Sequence, residues 1–159
     1  MSTPPDMQSA ARHFFASSTF AVAGASSVPS KFGYICFRWF QDHNLATVPL
    51  NPTTSSITVA QKTYSTVPTN SKLKDPKSTG LNIITPPFVT AQLLREAKAA
   101  GVRAVWLQPG SFGDEELEFA IREFPGAAVG GFAKGTRGGE GWCVLVDGET
   151  YMSGRDKKL

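Results

Sequence analysis

Four short stretches concentrate the residues whose types and spacing suit chemistry: GASSVPSK at 24–31, NPTTS at 51–55, TPPF at 85–88 and QPGSFG at 108–113. In the first, Gly24 lets a backbone approach closely. The amides of Ala25, Ser26 and Ser27 can turn inward, towards the positive end of the helix expected to follow. Lys31, at the mouth of that helix, adds a mobile positive charge. This is the chemistry of anion binding, with a phosphate as the natural guest. The plainer alternative is a tight strand-to-helix turn made possible by Gly24, with Lys31 a solvated surface residue.

What the loop lacks narrows the guest. A dinucleotide fingerprint needs G-x-G-x-x-G and an acidic residue after the second strand for the ribose hydroxyls. Here the glycine after Gly24 is Gly33, and the second strand runs into Leu50, Asn51 and Pro52. A Walker-type loop needs G-K-[ST], which is absent from this loop. No nucleophile and base pair stands out. His13 and His43 fall in the first helix and at the end of the second, away from the strand ends, and no histidine is placed near Ser26 or Ser27. Glu115 and Glu116 lie in a first helical turn, where they suit the helix dipole. Cys36 and Cys143 lie far apart without metal-ligand spacing, so no metal is expected, and both read as buried packing residues.

The elements that must position these loops alternate along the chain. Asp6 caps a short helix whose Met7, Ala10, Ala11, Phe14 and Phe15 share one face. TFAVAGA reads as a buried strand. Phe32, Ile35, Cys36, Trp39 and Phe40 then follow helical spacing up to a stop near Asn44. LATVPLNP is a second strand, whose far end Pro49 places at an edge or leaving the ladder. Residues 53–77 are polar and predict at most a short helical turn. GLNII, VRAVWL and GAAVGGF supply three more strands, separated by a helix from the TPPF prolines to Gly101 and by a helix capped at Asp114 with Leu117, Ala120, Ile121 and Phe124 inward. The pattern predicts a Rossmann-like, doubly wound parallel α/β sheet of about five strands with helices on both faces. After it come a glycine-rich segment at 130–141, tightly turned or mobile, and a β-hairpin over 142–152 closed by Asp147 and Gly148. In such a sheet a ligand sits at the carboxyl ends of the strands, where the four stretches fall.

The 159 residues fit one domain, with its core at 17–132. No apolar run is long enough to span a bilayer, and no secretory signal is expected from the opening residues, which lack a basic segment followed by a long apolar block. One arginine in the first fifteen residues gives little support to mitochondrial targeting, so the cytoplasm is the expected compartment. The net charge of +3 is spread along the chain, with GRDKKL at 154–159 reading as a solvated tail, so no specific nucleic-acid partner is expected.

Taken together and in order, VAGASSVPSKFGY, VPLNP, TPPF and WLQPGS resemble the small stand-alone CoA-binding proteins, whose domain is related to the CoA-binding domain of the succinyl-CoA synthetase alpha subunit. The resemblance covers roughly residues 17–132 and implies the Rossmann-like fold. It puts the CoA pyrophosphate on Gly24, Ala25 and Ser26, beside Ser27, with Lys31 as the cationic contact. Asn51, Pro52 and Thr53 would border the adenosine; Thr85, Pro86 and Pro87 would line the groove beside the adenine or pantetheine chain; Gln108 and Gly110 would close its other side. Residues 51–56 read NPTTSS, without the basic residue that related domains often use for the 3′-phosphate. The expected function is binding of CoA or acyl-CoA without catalysis, as a carrier, sensor or regulatory module. The alternatives are an NADP-type or other nucleotide-binding oxidoreductase, and a protein-interaction module with an empty nucleotide site.

Overall fold

A computed structural model describes residues 6–132 and 135–156; the side chains of residues 153–159, the basic tail among them, lie outside the described residues. Helix α1 (Met7–Phe15) starts where expected, because the Asp6 carboxylate accepts the Ser9 amide at 2.7 Å. Strand β1 (Thr19–Ala23) leads through the first loop into α2 (Phe32–Asp42), and β2 (Thr47–Leu50) follows. After an intervening segment come β5 (Thr79–Ile83), α3 (Pro87–Ala100), β6 (Ala104–Leu107), α4 (Asp114–Glu123), β7 (Ala128–Val129) and α5 (Val144–Asp156). Helix α3 ends on Gly101 at φ +83°, the left-handed cap that glycine accepts without a Cβ penalty.

Five strands form one parallel sheet in the order β2-β1-β5-β6-β7. The chain therefore leaves β1 towards one side and returns on the other, and the reversal lies between β1 and β5. Side chains alternate across the sheet. Phe20 and Trp106 join Phe14, Phe15 and Phe40 in an aromatic cluster on the face covered by α1, α2 and α5, with Phe14 to Trp106 at 5.4 Å and Phe20 to Phe40 at 5.3 Å. On the other face Leu107 turns towards Leu117 of α4, and α4 packs beside α3. Strand β2 is the edge that Pro49 announces. Its outer side is met by Val67, whose amide donates to the Pro49 carbonyl at 2.9 Å and whose carbonyl accepts from Asn51.

Several expectations need correction. Residues 142–152 form no hairpin. Val144–Asp156 is helical, and Gly148 within it lies under the Trp39 ring, where a side chain would overlap the ring edge. The polar segment holds an antiparallel ribbon of β3 (Ser56–Val59) and β4 (Lys62–Ser65), followed by 3₁₀ turns at Asn70–Lys72 and Pro76–Ser78. On α2 the buried stripe is Gly33, Cys36, Phe37 and Phe40, while Phe32 and Ile35 remain exposed. The ribbon causes this rotation: Tyr64 covers Phe37 edge-on at 4.9 Å. On α4 the cap is Gly113, one residue before Asp114, and its amide donates to the Glu116 carboxylate at 2.6 Å, while Ile121 is exposed.

Helix α5 is fastened to α2 by His43. Its ring stacks on Trp39 at 4.0 Å, and its Nε2 meets the Glu149 carboxylate at 2.9 Å. Burial lowers the basicity of His43, but the Glu149 carboxylate and the Trp39 carbonyl outweigh it, raising the pKa above its ordinary 6.5. The folded chain thus holds this proton to higher pH than the unfolded chain. The stabilisation is complete below about pH 6.5 and disappears as pH rises through the folded value. We predict that NMR titration finds His43 above its ordinary value, and that Glu149→Gln lowers it and flattens the stability profile across that window. An unchanged titration would contradict the contact.

Candidate functional site

The reversal point between β1 and β5 is built by their two exits. Gly24 leaves β1 at φ +98°, and its amide donates to the Leu50 carbonyl at 3.2 Å. Ile84 leaves β5 with its amide on the Ala23 carbonyl at 3.0 Å. A Cβ on Gly24 would lie only 3.4 Å from the Thr85 methyl, so the two exits touch. Gly33, in the first turn of α2, allows a closer approach still, since a Cβ there would stand 1.9 Å from the Gly24 carbonyl oxygen. This is the close helix–strand packing that glycine permits at nucleotide sites.

Between these points the loop presents donors. Ala25 is buried, and the amides of Ala25, Ser26 and Ser27 donate to no group among the described residues. The hydroxyls serve the loop itself: Ser26 Oγ accepts from the Val28 amide and Ser27 Oγ from the Thr58 amide, both at 3.0 Å. The second contact ties the loop to the β3–β4 ribbon, and the Ala60 amide adds another by donating to the Tyr34 hydroxyl at 3.1 Å. Lys31 is the exposed N-cap residue of α2. Amides without an acceptor among the described residues, just ahead of a helix start and followed by an exposed lysine, suit an anion.

A cleft of about 420 Å³ runs from this loop between the end of β2 and α3. Gly24, Asn51, Pro52, Thr85 and Pro86 of the expected site line it, with an apolar floor that includes Leu50, Val89 and Leu93. The volume and lining suit a flat ring held at the carboxyl ends of the strands. Asn51 joins the cleft to the loop: its Nδ2 donates to the Ala25 carbonyl at 3.1 Å, while its Oδ1 accepts from the amide and hydroxyl of Thr53. Thr53 and Pro87 are exposed at the margin. Thr85 is held by Thr90, whose hydroxyl lies 2.8 Å from its own.

Gln108 and Gly110 stand apart from the cleft. Gly110 is an exposed turn residue at φ +89°. Gln108 is fully buried and organises the C-terminal part of the fold: Oε1 accepts from Asn82 Nδ2 at 3.2 Å and the Val144 amide at 3.0 Å, and Nε2 reaches Cys143 Sγ at 3.1 Å. Cys143 is buried, and so is Cys36, whose thiol is pushed far up by burial and then by the neighbouring Cys143.

Asp147, expected in a hairpin turn, has a larger task that the sequence concealed. It is wholly buried, and its carboxylate gathers the Arg137 amide at 2.8 Å, the Thr136 hydroxyl at 2.7 Å and the Cys143 amide at 3.2 Å. Tyr151 adds a bond to the Gly135 carbonyl at 2.8 Å. The described part of the glycine-rich segment is thus tightly turned, with Gly131, Gly135 and Gly141 at positive φ. The only signal available was an acidic residue a few positions after a run of glycines.

Comparison with known proteins agrees with this geometry. The chain resembles a conserved hypothetical protein from Pyrococcus furiosus at 25% identity and a TM-score of 0.60, over 70% of this chain and 91% of that one. A Thermus thermophilus structure matches at 26% identity and a TM-score of 0.63, over 77% and 89% of the two chains. A hypothetical protein from Pyrococcus horikoshii shares the fold at 20% identity and a TM-score of 0.65, over 81% and 89%. A search of the curated proteins finds no significant match. Residues 18–138, from the start of β1 to the glycine-rich segment, match the sequence pattern of the CoA binding domain, and the chain belongs to that family.

Proposed function

We propose that the protein binds coenzyme A or an acyl-CoA at the reversal point of its sheet and does so without catalysis, as a carrier, sensor or regulatory module. The observation that carries the reading is the first loop, where the amides of Ala25, Ser26 and Ser27, next to Gly24, have no acceptor among the described residues and precede a helix that Gly33 brings into contact with the strand end. A pyrophosphate on this loop gains backbone donors and the Lys31 ammonium. The adenosine end then enters the cleft past Asn51, Pro52 and Thr53, and Thr85, Pro86 and Pro87 border the opposite wall. CoA supplies a thiol that carries acyl groups as thioesters and a recognisable nucleotide end; the chain supplies binding and orientation.

Calorimetric titration of nucleotide-free protein with CoA, NAD and NADP tests the reading. Saturable CoA binding, stronger than to either dinucleotide, is expected. Lys31→Ala should weaken it about tenfold, the loss of one charge-assisted contact, with the melting temperature unchanged because Lys31 is exposed. Preference for NADP with hydride transfer would favour an oxidoreductase. No nucleotide binding would leave an interaction module.

A further inference from the structure

We propose that the site is indifferent to the 3′-phosphate of CoA, so that this chain takes 3′-dephospho-CoA about as tightly as CoA itself. The inference rests on the CoA reading and adds which part of the nucleotide is recognised. A phosphate monoester carries between one and two negative charges at neutral pH, and sites that select for it supply Arg or Lys donors.

A ribose that links a pyrophosphate on the first loop to a base in the cleft must pass the end of β2, because Asn51 is bonded to Ala25 there. The threonine hydroxyls along that path are spent within the turn. Thr53 gives both its amide and its hydroxyl to Asn51 Oδ1, each at 2.9 Å, and the Thr54 hydroxyl donates to the Ser56 carbonyl at 3.0 Å. No residue from 51 to 56 is basic. Among the described residues that line the cleft, one is ionisable, and it is a carboxylate: Glu96, which accepts from Gln92 Nε2 at 3.1 Å.

The cations nearby are not among the described residues that line the cleft. Arg95 faces the opposite side of α3, in a hollow shared with Glu115, Glu118 and Arg122. Lys62 pairs with Val59 at the tip of the β3–β4 ribbon, on the side where Thr58 is bonded to Ser27 of the first loop, and roughly 10 Å from Ser56 at the ribbon base. Lys72 lies in the turn beyond Thr69, outside the cleft lining. Lys31 offers a single charge to a pyrophosphate that carries more than one. A 3′-phosphate therefore finds solvent on one side and a carboxylate on the other.

The experiment is a calorimetric comparison of CoA and 3′-dephospho-CoA on the full chain, repeated on Thr53→Lys, which places a cation at an exposed position on the proposed ribose path. The expected result is that the two ligands bind the unaltered chain within about threefold of each other, and that the substitution raises the CoA to dephospho-CoA affinity ratio about tenfold. A CoA preference of about tenfold or more in the unaltered chain overturns the inference and leaves the CoA reading standing. An unmoved ratio in the substituted chain overturns the ribose path. If neither ligand binds, the CoA reading falls and this inference with it.

Discussion

Gly33→Ala is expected to abolish measurable CoA binding and to destabilise the chain by about 3 kcal/mol, the scale of a forced backbone overlap. The added methyl would stand 1.9 Å from the Gly24 carbonyl oxygen and 2.9 Å from its carbon. Both are backbone atoms with no rotamer to escape into. Alanine's better helix propensity returns only about 1 kcal/mol, so the clash decides the sign. To accommodate it α2 must withdraw from β1 by roughly 1.5 Å, which takes the helix start and its dipole away from the amides of residues 25–27. Gly139→Ala is the control, since nothing lies within 4 Å of a Cβ there, and its effect should stay within about 0.5 kcal/mol. Urea unfolding and CoA titration on both variants check the pair. A Gly33→Ala chain with unchanged stability and affinity would mean that the close approach has no functional weight.

Asp147→Ala should cost a similar amount, about 3 kcal/mol, by a different route. Removing a buried carboxylate leaves the buried Cys143 amide and the part-buried Arg137 amide without their acceptor and leaves the Thr136 hydroxyl with the Gly141 carbonyl alone, and a buried donor left unpaired carries its full desolvation cost. The loss should be local before it is global. Hydrogen exchange at residues 136–143 is expected to rise strongly, while the amides of β1 and β5 exchange at the rate set by overall stability. Uniform acceleration over the whole chain would show that the carboxylate supports the core rather than the glycine-rich segment. Asp147→Asn keeps one acceptor oxygen and should fall between the two.

The sheet and its helices were legible because their signals are local and mutually consistent. Asp6 with Ser9, the prolines opening α3 and Gly101 closing it each act within a few residues, and Pro49 needed only the rule that central strands exclude it. The first loop and the cleft were legible for a related reason: a parallel sheet sends its ligand to the strand exits, so Gly24, Asn51 and Thr85 converge whatever the details of packing. The misses involve partners distant in sequence. The β3–β4 ribbon turns through Ala60 and Gln61, both at positive φ, where the usual glycine or asparagine would have announced it. Its presence then rotates α2 by covering Phe37 with Tyr64. In α5, the Asp147–Gly148 pair imitates a hairpin turn, but the aspartate is committed to Thr136 and Arg137, and the glycine is needed beneath Trp39. Gln108 was placed at the correct strand end, yet its side chain turns into the protein to meet Cys143 and Val144.

The two margins of the sheet have a bearing on how the chain behaves in company. One ends in β2, where Pro49 has no amide to offer and Val67 already occupies the ladder positions. The other ends in β7, which is two residues long. Neither margin presents a row of vacant donors and acceptors on which a second copy could extend the ladder, so the native fold is guarded against strand-by-strand aggregation at both ends. Association along the five-stranded sheet would therefore fall to side chains on its helices and loops rather than to its strand ladder.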